Sequence, residues 1–403
     1  MTRHDLVATF ALLAAFGCTS EVPLGDGTGG SAGSATGGSA GSGTGGTAAS
    51  AGTGGIAGAA GGSGGATGGV GGLAGSGGAA GASGSGGSGG TVACVPAATG
   101  GTLTELLNNA PQLFAVTESG DTVYYVVDSN SAPVTVGSVK KDGSNPGKIA
   151  GATEAAGKGP TVVKHDGSHL YWLAGGIQTA AYRRPLVGGA VEKLTTAVVP
   201  GSTALALGTN SVFWSGFGSI LKTPKAGGIS ESPYTPTAGR HTGIHMASNG
   251  TDVVWIEWID ANDNPASTHI IRKGNEKGDA AQTLVSTAVS HPWGIAIDAT
   301  SAYYSLAGKE INSVPLAGGA PTVLHQGQVN SHLAIDASTV YFLEIDGDCR
   351  SLKSVPKSGG TVATLATGLP GKDSSLEQGN HIAVDATDIF VGTFSGSIFK
   401  ISK

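Results

Sequence analysis

Basic residues are few in this chain and nowhere clustered: 22 Lys and Arg stand against 28 Asp and Glu, a formal net charge of −6. With no cationic stripe to neutralise phosphates, nucleic acid is excluded as a partner. Cysteine is scarcer still, and Cys18, Cys94 and Cys349 lie too far apart for a metal motif of paired cysteines. From Gly100 onward there is neither a nucleophile elbow nor a phosphate loop. No segment after Phe16 approaches the roughly 20 consecutive apolar residues of a membrane-spanning helix. What the chain has in excess is glycine, 71 of 403 residues. Most of it falls between Gly25 and Gly90, in a block made almost wholly of Gly, Ser, Ala and Thr, without an aromatic residue and without charge after Asp26. Such a block has too little apolar surface to offset its chain entropy. It is expected to stay disordered, with an r.m.s. reach of roughly 45 Å for about 65 residues.

The first residues read as an export signal. Arg3 supplies a positive start, and Leu6 to Phe16 is an apolar stretch too short to span a bilayer. It ends in Ala15-Phe16-Gly17-Cys18, which resembles the cleavage box of bacterial lipoproteins, where the cysteine takes the lipid. The same residues satisfy a small-x-small rule for plain secretion, so both routes stay open. The organisation expected is a signal peptide over 1–17, a low-complexity linker over 18–99 and a folded region over 100–403. The protein would be exported and held at the cell envelope by a lipid on Cys18, at the outer membrane where the cell has one, and otherwise secreted. That lipid would be its sole membrane contact. In an oxidising compartment Cys94 and Cys349 then remain as a candidate disulfide.

The folded region repeats itself. Ile295-Ala296-Ile297-Asp298, Leu333-Ala334-Ile335-Asp336 and Ile382-Ala383-Val384-Asp385 each form an apolar strand. Each turns through a few polar residues into a second strand bearing Tyr303-Tyr304, Tyr341-Phe342 or Phe390-Val391. A third strand ends in a Pro-x-x-Gly-Gly turn, at Pro185, Pro224, Pro315 and Pro356, and a fourth follows. The glycine pair supplies the positive φ angles of a tight hairpin. The second aromatic position recurs at Tyr125, Trp172, Trp214, Trp255, Tyr304, Phe342 and Val391, at spacings of 38 to 49 residues. That is the period of a four-stranded propeller blade. The seventh copy stops before its fourth strand. Gly100-Gly101-Thr102-Leu103-Thr104-Glu105-Leu106, at the other end of the region, matches the turn and fourth strand Gly359-Gly360-Thr361-Val362-Ala363-Thr364-Leu365. The fold expected is therefore all-β: a seven-bladed β-propeller closed by an N-terminal strand. Asp298, Asp336 and Asp385 read as turn formers, bonding backbone amides two residues on.

With its Ile-Ala-x-Asp strands and the pairs Tyr171-Trp172 and Phe213-Trp214, the pattern resembles the YWTD and NHL class of propellers. The resemblance covers the region from Gly100 onward, and what it implies is a fold. With the strands of a blade lettered a to d outward, the a–b and c–d turns here are short and uniform. The b–c and d–a connections vary, so the face they share is the candidate functional face. Three histidines on that face hold one repeat position, ten residues before the strand-b aromatic: His245, His332 and His381. His241, His291 and Trp293 stand close by, and Asn330 and Asn380 flank the same points. Imidazoles gathered at a channel mouth suit a transition metal or an anion. A histidine before an inner strand equally serves to hydrogen-bond the next blade. Acidic residues on the b–c connections, Glu257 and Glu344 among them, read as solvated loop tips.

The function these features favour is a monomeric, non-enzymatic binding propeller that shows its variable face to a protein or glycan partner and needs no cofactor. The alternative comes from enzymes built on similar rings. Streptogramin lyase and gluconolactonase-type proteins work at the channel mouth with His, Glu, Asn and a divalent ion. That resemblance implies a metal-dependent lyase or lactonase, with His245, His332 and His381 as candidate ligands.

Overall fold

Copies of a half-apolar sheet can bury their faces only against one another, and here seven of them close into a ring. The computed structural model describes residues 93–403 except 130–131, 151–161, 175–178, 198, 200–203, 217, 236–240, 259–268, 288–291, 330 and 372–380. The expected signal peptide, Cys18 and the expected linker up to residue 92 lie outside the described residues. All described residues belong to one compact unit, Ser83–Lys403. Every regular element among them is a β-strand, and the strands make seven antiparallel sheets. The innermost strands a are Gln112–Ser119, Val163–His165, Leu205–Leu207, His241–Ser248, Pro292–Ile297, Ala334–Ile335 and His381–Val384.

The core is seven separate clusters, one between each pair of neighbouring blades. Trp172 packs with Phe114 and Tyr124 between blades one and two, and Tyr171 with Trp214 between two and three. The series ends with Phe390 against Leu113 and Tyr125, where blade seven meets blade one. Trp172, Trp214, Trp255, Tyr304 and Phe342 are all fully buried. A buried ring of that size contributes about 1.5–3 kcal/mol, so the repeated aromatic is the main adhesive between blades. The c–d hairpins follow the glycine signal. Gly359 and Gly360 take φ of +79° and +123°, and the Gly359 amide donates to the Pro356 carbonyl at 2.8 Å.

Ring closure falls to the N-terminal segment. Leu103–Leu107 lies antiparallel to Ile398–Ser402, with Leu103 opposite Ile401 and Glu105 opposite Phe399. Blade seven thereby gains the fourth strand that its own sequence lacks, and Leu106 enters the cluster shared with blade one. The boundary expected at Gly100 is too late. Ala97 and Ala98 already pair with Thr367 and Ala366 as a fifth, outermost strand of blade six. Cys94 is joined to Cys349 of the same blade by a disulfide, Cα–Cα 5.6 Å. That tether holds Val95–Thr99 against the blade edge, where an unpaired strand would otherwise stand open.

Four blade interfaces carry a common clasp. Lys225 reaches Asp166 at 3.1 Å, Lys357 reaches Asp298 at 2.8 Å, Lys403 reaches Asp336 at 2.7 Å, and Lys141 reaches Asp385. Each lysine directly follows strand c of one blade, and each aspartate ends strand a of the blade before it. The ammonium also lies over that blade's strand-b ring, 5.2 Å from the centroid for Lys357 on Tyr303. Asp298 Oδ1 accepts the Thr300 and Ser301 amides at 2.8 and 2.9 Å, and the Tyr303 hydroxyl donates to Oδ2 at 2.9 Å. The turn-forming aspartates are thus also inter-blade anchors.

Candidate functional site

Strands a begin at the face that bears the b–c and d–a connections, so residues near their starts look into the mouth of the channel. Three of the expected residues meet there, one from each of three consecutive blades. His245 lies in strand a of blade four, Trp293 in that of blade five, and His332 just before that of blade six. The His245 and His332 rings stand edge to face with centroids 4.5 Å apart, and Trp293 lies 6.1 Å from His245. His245 and Trp293 are buried, while His332 is half-buried.

A small residue and two serines set this approach. At Gly294 a Cβ would stand 2.6 Å from the Ser331 carbonyl oxygen and 2.8 Å from His332 Cα, so only glycine lets the connection at Ser331–His332 lie so close. The Ser305 hydroxyl accepts from the Gly294 amide at 2.8 Å and donates to the Ser331 carbonyl at 3.0 Å. Ser331 Oγ accepts from the Leu343 amide at 2.8 Å. His332 is thereby fixed from both sides. Burial, with the charge of Lys164 adding to it, pushes the His332 imidazole down to about 3, so the ring is neutral across ordinary pH.

The remaining expected residues are placed less fully. His241 opens strand a of blade four opposite Trp258, and His381 opens strand a of blade seven opposite Gly392; their side chains lie outside the described residues. His291, Asn330 and Asn380 lie outside the described residues altogether. Among the described residues no three His, Cys, Asp or Glu side chains gather as a metal ion would require.

Two acidic residues differ from expectation. Glu257 is a buried residue of strand b, accepting from Trp255 Nε1 at 3.0 Å and paired with Arg272 at 3.7 Å. Glu344 is also in strand b and buried, bonded to Lys353 and, at 3.3 Å, to His325. Neither is a loop tip, because strand b runs further toward this face than its hydrophobic pattern shows.

One residue escaped the sequence reading. Lys164 sits in strand a of blade two at the position held by Thr117, Ala206, Ala247, Ala296, Ala334 and Ala383 in the other six blades. Superimposing the seven copies residue by residue exposes it.

A cleft of about 270 Å³ opens on the opposite face, between blades one and two, lined by Tyr124, Lys140, Leu170, Arg184 and Leu186 among others. It lies where Leu186 follows strand c of blade two in the place of the clasp lysine.

No family model matches the chain, and no curated protein does. Among solved structures, in contrast, 700 chains match it. It is similar to a puromycin-hydrolysing peptidase of Mycobacterium tuberculosis, with a TM-score of 0.55 at 15% identity, over 72% of this chain and 51% of that one. It is similar to a structure of prolyl endopeptidases, with a TM-score of 0.50 at 14% identity, over 73% and 47%. A chain in the crystal structure of a mitotic checkpoint complex gives a TM-score of 0.50 at 12% identity, over 75% and 91%. This chain thus spans about half the length of the peptidases it matches. Such distant likeness is a likeness of ring, and chemistry must be read from the residues.

Proposed function

We propose that this protein is an exported, monomeric binding propeller, held at the cell envelope through a lipid on Cys18, that presents its histidine-bearing face to a protein or glycan partner. The observation that carries this reading is the meeting of His245, Trp293 and His332 at the channel mouth, while Glu257 and Glu344 are engaged inside their own blades. The neutral His332 imidazole, carried beside a serine network and packed against His245, makes a directional hydrogen-bonding surface. A lyase or lactonase would also need a carboxylate free to take up a proton, or to hold a metal beside the imidazoles. Seven inter-blade cores keep the face rigid, which lowers the ordering cost of binding.

The test is surface plasmon resonance of the mature protein against envelope polysaccharide and purified envelope proteins, with and without EDTA. Saturable binding that survives EDTA and weakens at least tenfold in His332→Ala is expected. Release of an unsaturated or lactone-opened product on addition of Mn²⁺ would replace this reading with the lyase or lactonase.

A further inference from the structure

The next-to-last residue of strand c is a core position in this ring. Six blades have Val139, Thr223, Gly274, Val314, Val355 and Ile401 there, and the five with side chains are fully buried. Val314 belongs to the core between blades four and five, and Val355 to that between five and six. Blade two has Arg184 at this position, opposite Leu170 in strand b, and it is half-buried. A cation at a core position is costly unless a counter-charge meets it. Other half-buried cations of the ring do meet one, as Arg272 meets Glu257 at 3.7 Å and Lys357 meets Asp298 at 2.8 Å. Among the described residues no carboxylate pairs with Arg184. Its Nε donates to the Gly189 carbonyl at 2.9 Å and its Nη1 to the Ile149 carbonyl of blade one at 3.4 Å. Those two bonds orient the guanidinium, and its Nη2 has no partner among the described residues.

Arg184 lines the cleft of about 270 Å³ between blades one and two, beside Tyr124, Ile149, Leu170 and Leu186. No Asp or Glu lines this cleft, although acidic residues outnumber basic ones in the chain. Its second cation, Lys140, is already paired with Asp121 at 2.7 Å. Val187, also part of the lining, is 99% exposed, an apolar side chain standing in water at the entrance. The cleft therefore offers one oriented guanidinium and an apolar wall. A guanidinium fork suits a carboxylate, and a volume just below the usual range for ligand pockets, about 300–1,000 Å³, suits a ligand of one ring. We propose that this cleft binds a small apolar carboxylate of the size of benzoate, its carboxylate on Arg184 and its ring against Tyr124, Leu170 and Leu186. This goes beyond the partner-binding reading, since the cleft lies on the opposite face and its ligand is a free small molecule.

Isothermal titration calorimetry on the full mature protein tests the proposal at constant ionic strength. Sodium benzoate is the probe, benzamide the control without charge and sodium acetate the control without a ring. One-to-one binding of benzoate is expected, with both controls at least tenfold weaker. Arg184→Val, which writes the residue found in blades five and six, should weaken benzoate at least tenfold without lowering Tm. Val187→Asp sets a negative charge at the entrance on a side chain that packs against nothing, so it leaves the fold intact and should weaken benzoate several-fold. The proposal is overturned if benzoate does not bind, if benzamide or acetate binds as tightly, or if both variants bind benzoate as the parent does. Should that happen while partner binding at the histidine-bearing face persists, the proposed function stands and only the cleft site falls.

Discussion

The side chain that explains most about this ring is an aspartate. At Asp298 burial works against the carboxylate, but Lys357, the Thr300 and Ser301 amides and the Tyr303 hydroxyl outweigh it and hold the carboxyl well below the usual range. Asp166 and Asp336 are depressed in the same way. Burial and the Asp298 bond push the Tyr303 hydroxyl up to about 12. A carboxyl with a folded value below its unfolded value of about 3.9 gives stability that is complete above that pH and drains away as pH falls below it. A phenol raised from about 10 gives stability that is complete below pH 10 and is lost as pH climbs toward 12. Urea midpoints should therefore be level between pH 5 and 9 and fall on either side. Lys357→Met should lower stability by roughly 1 kcal/mol at pH 7, and by less at pH 2, where Asp298 begins to take up its proton. An equal loss at both pH values would show that the lysine acts only through packing. The turn-forming half of the aspartate's role was legible in Asp-Ala-Thr-Ser. The anchoring half was not, because Lys357 lies 59 residues away and on another blade.

Among the elements, the strand Leu103–Leu107 has the largest consequence for its length. It carries buried Leu106 into the cluster between blades seven and one and satisfies the outer edge of Ile398–Ser402. Leu106→Ala should cost about 2–4 kcal/mol, read as a lower urea midpoint. Hydrogen exchange should rise first in blades one and seven, and protection lost evenly around the ring would contradict a localised seam. This strand was legible because it copies Thr361 to Leu365. The neighbouring Ala97–Ala98 strand was not. Val95-Pro96-Ala97-Ala98 has no alternating pattern, and its pairing is imposed by a cross-link at Cys94. Lys164 was missed for the opposite reason: it is a single departure inside a pattern read for its regularities.

For the molecule as a whole, the ring has one seam and one covalent bond beside it. In the chain-entropy picture a disulfide across 255 residues contributes up to roughly 5 kcal/mol, with measured values often lower. Reduction with a phosphine should leave the circular dichroism of the ring unchanged at 25 °C and lower its unfolding temperature. An unchanged unfolding temperature would show that the bond adds nothing to a ring already closed by strands. The number of blades, their order and the closure could be read from the sequence because each was written several times. The channel could not, since it belongs to no single blade and exists only once all seven face inward. The Cys94–Cys349 bond also fixes where mechanical load enters. A pull on the chain upstream of Cys94 passes through covalent bonds into strand c of blade six. The hydrogen bonds that close the ring at Leu103–Leu107 lie beyond that junction and bear none of it.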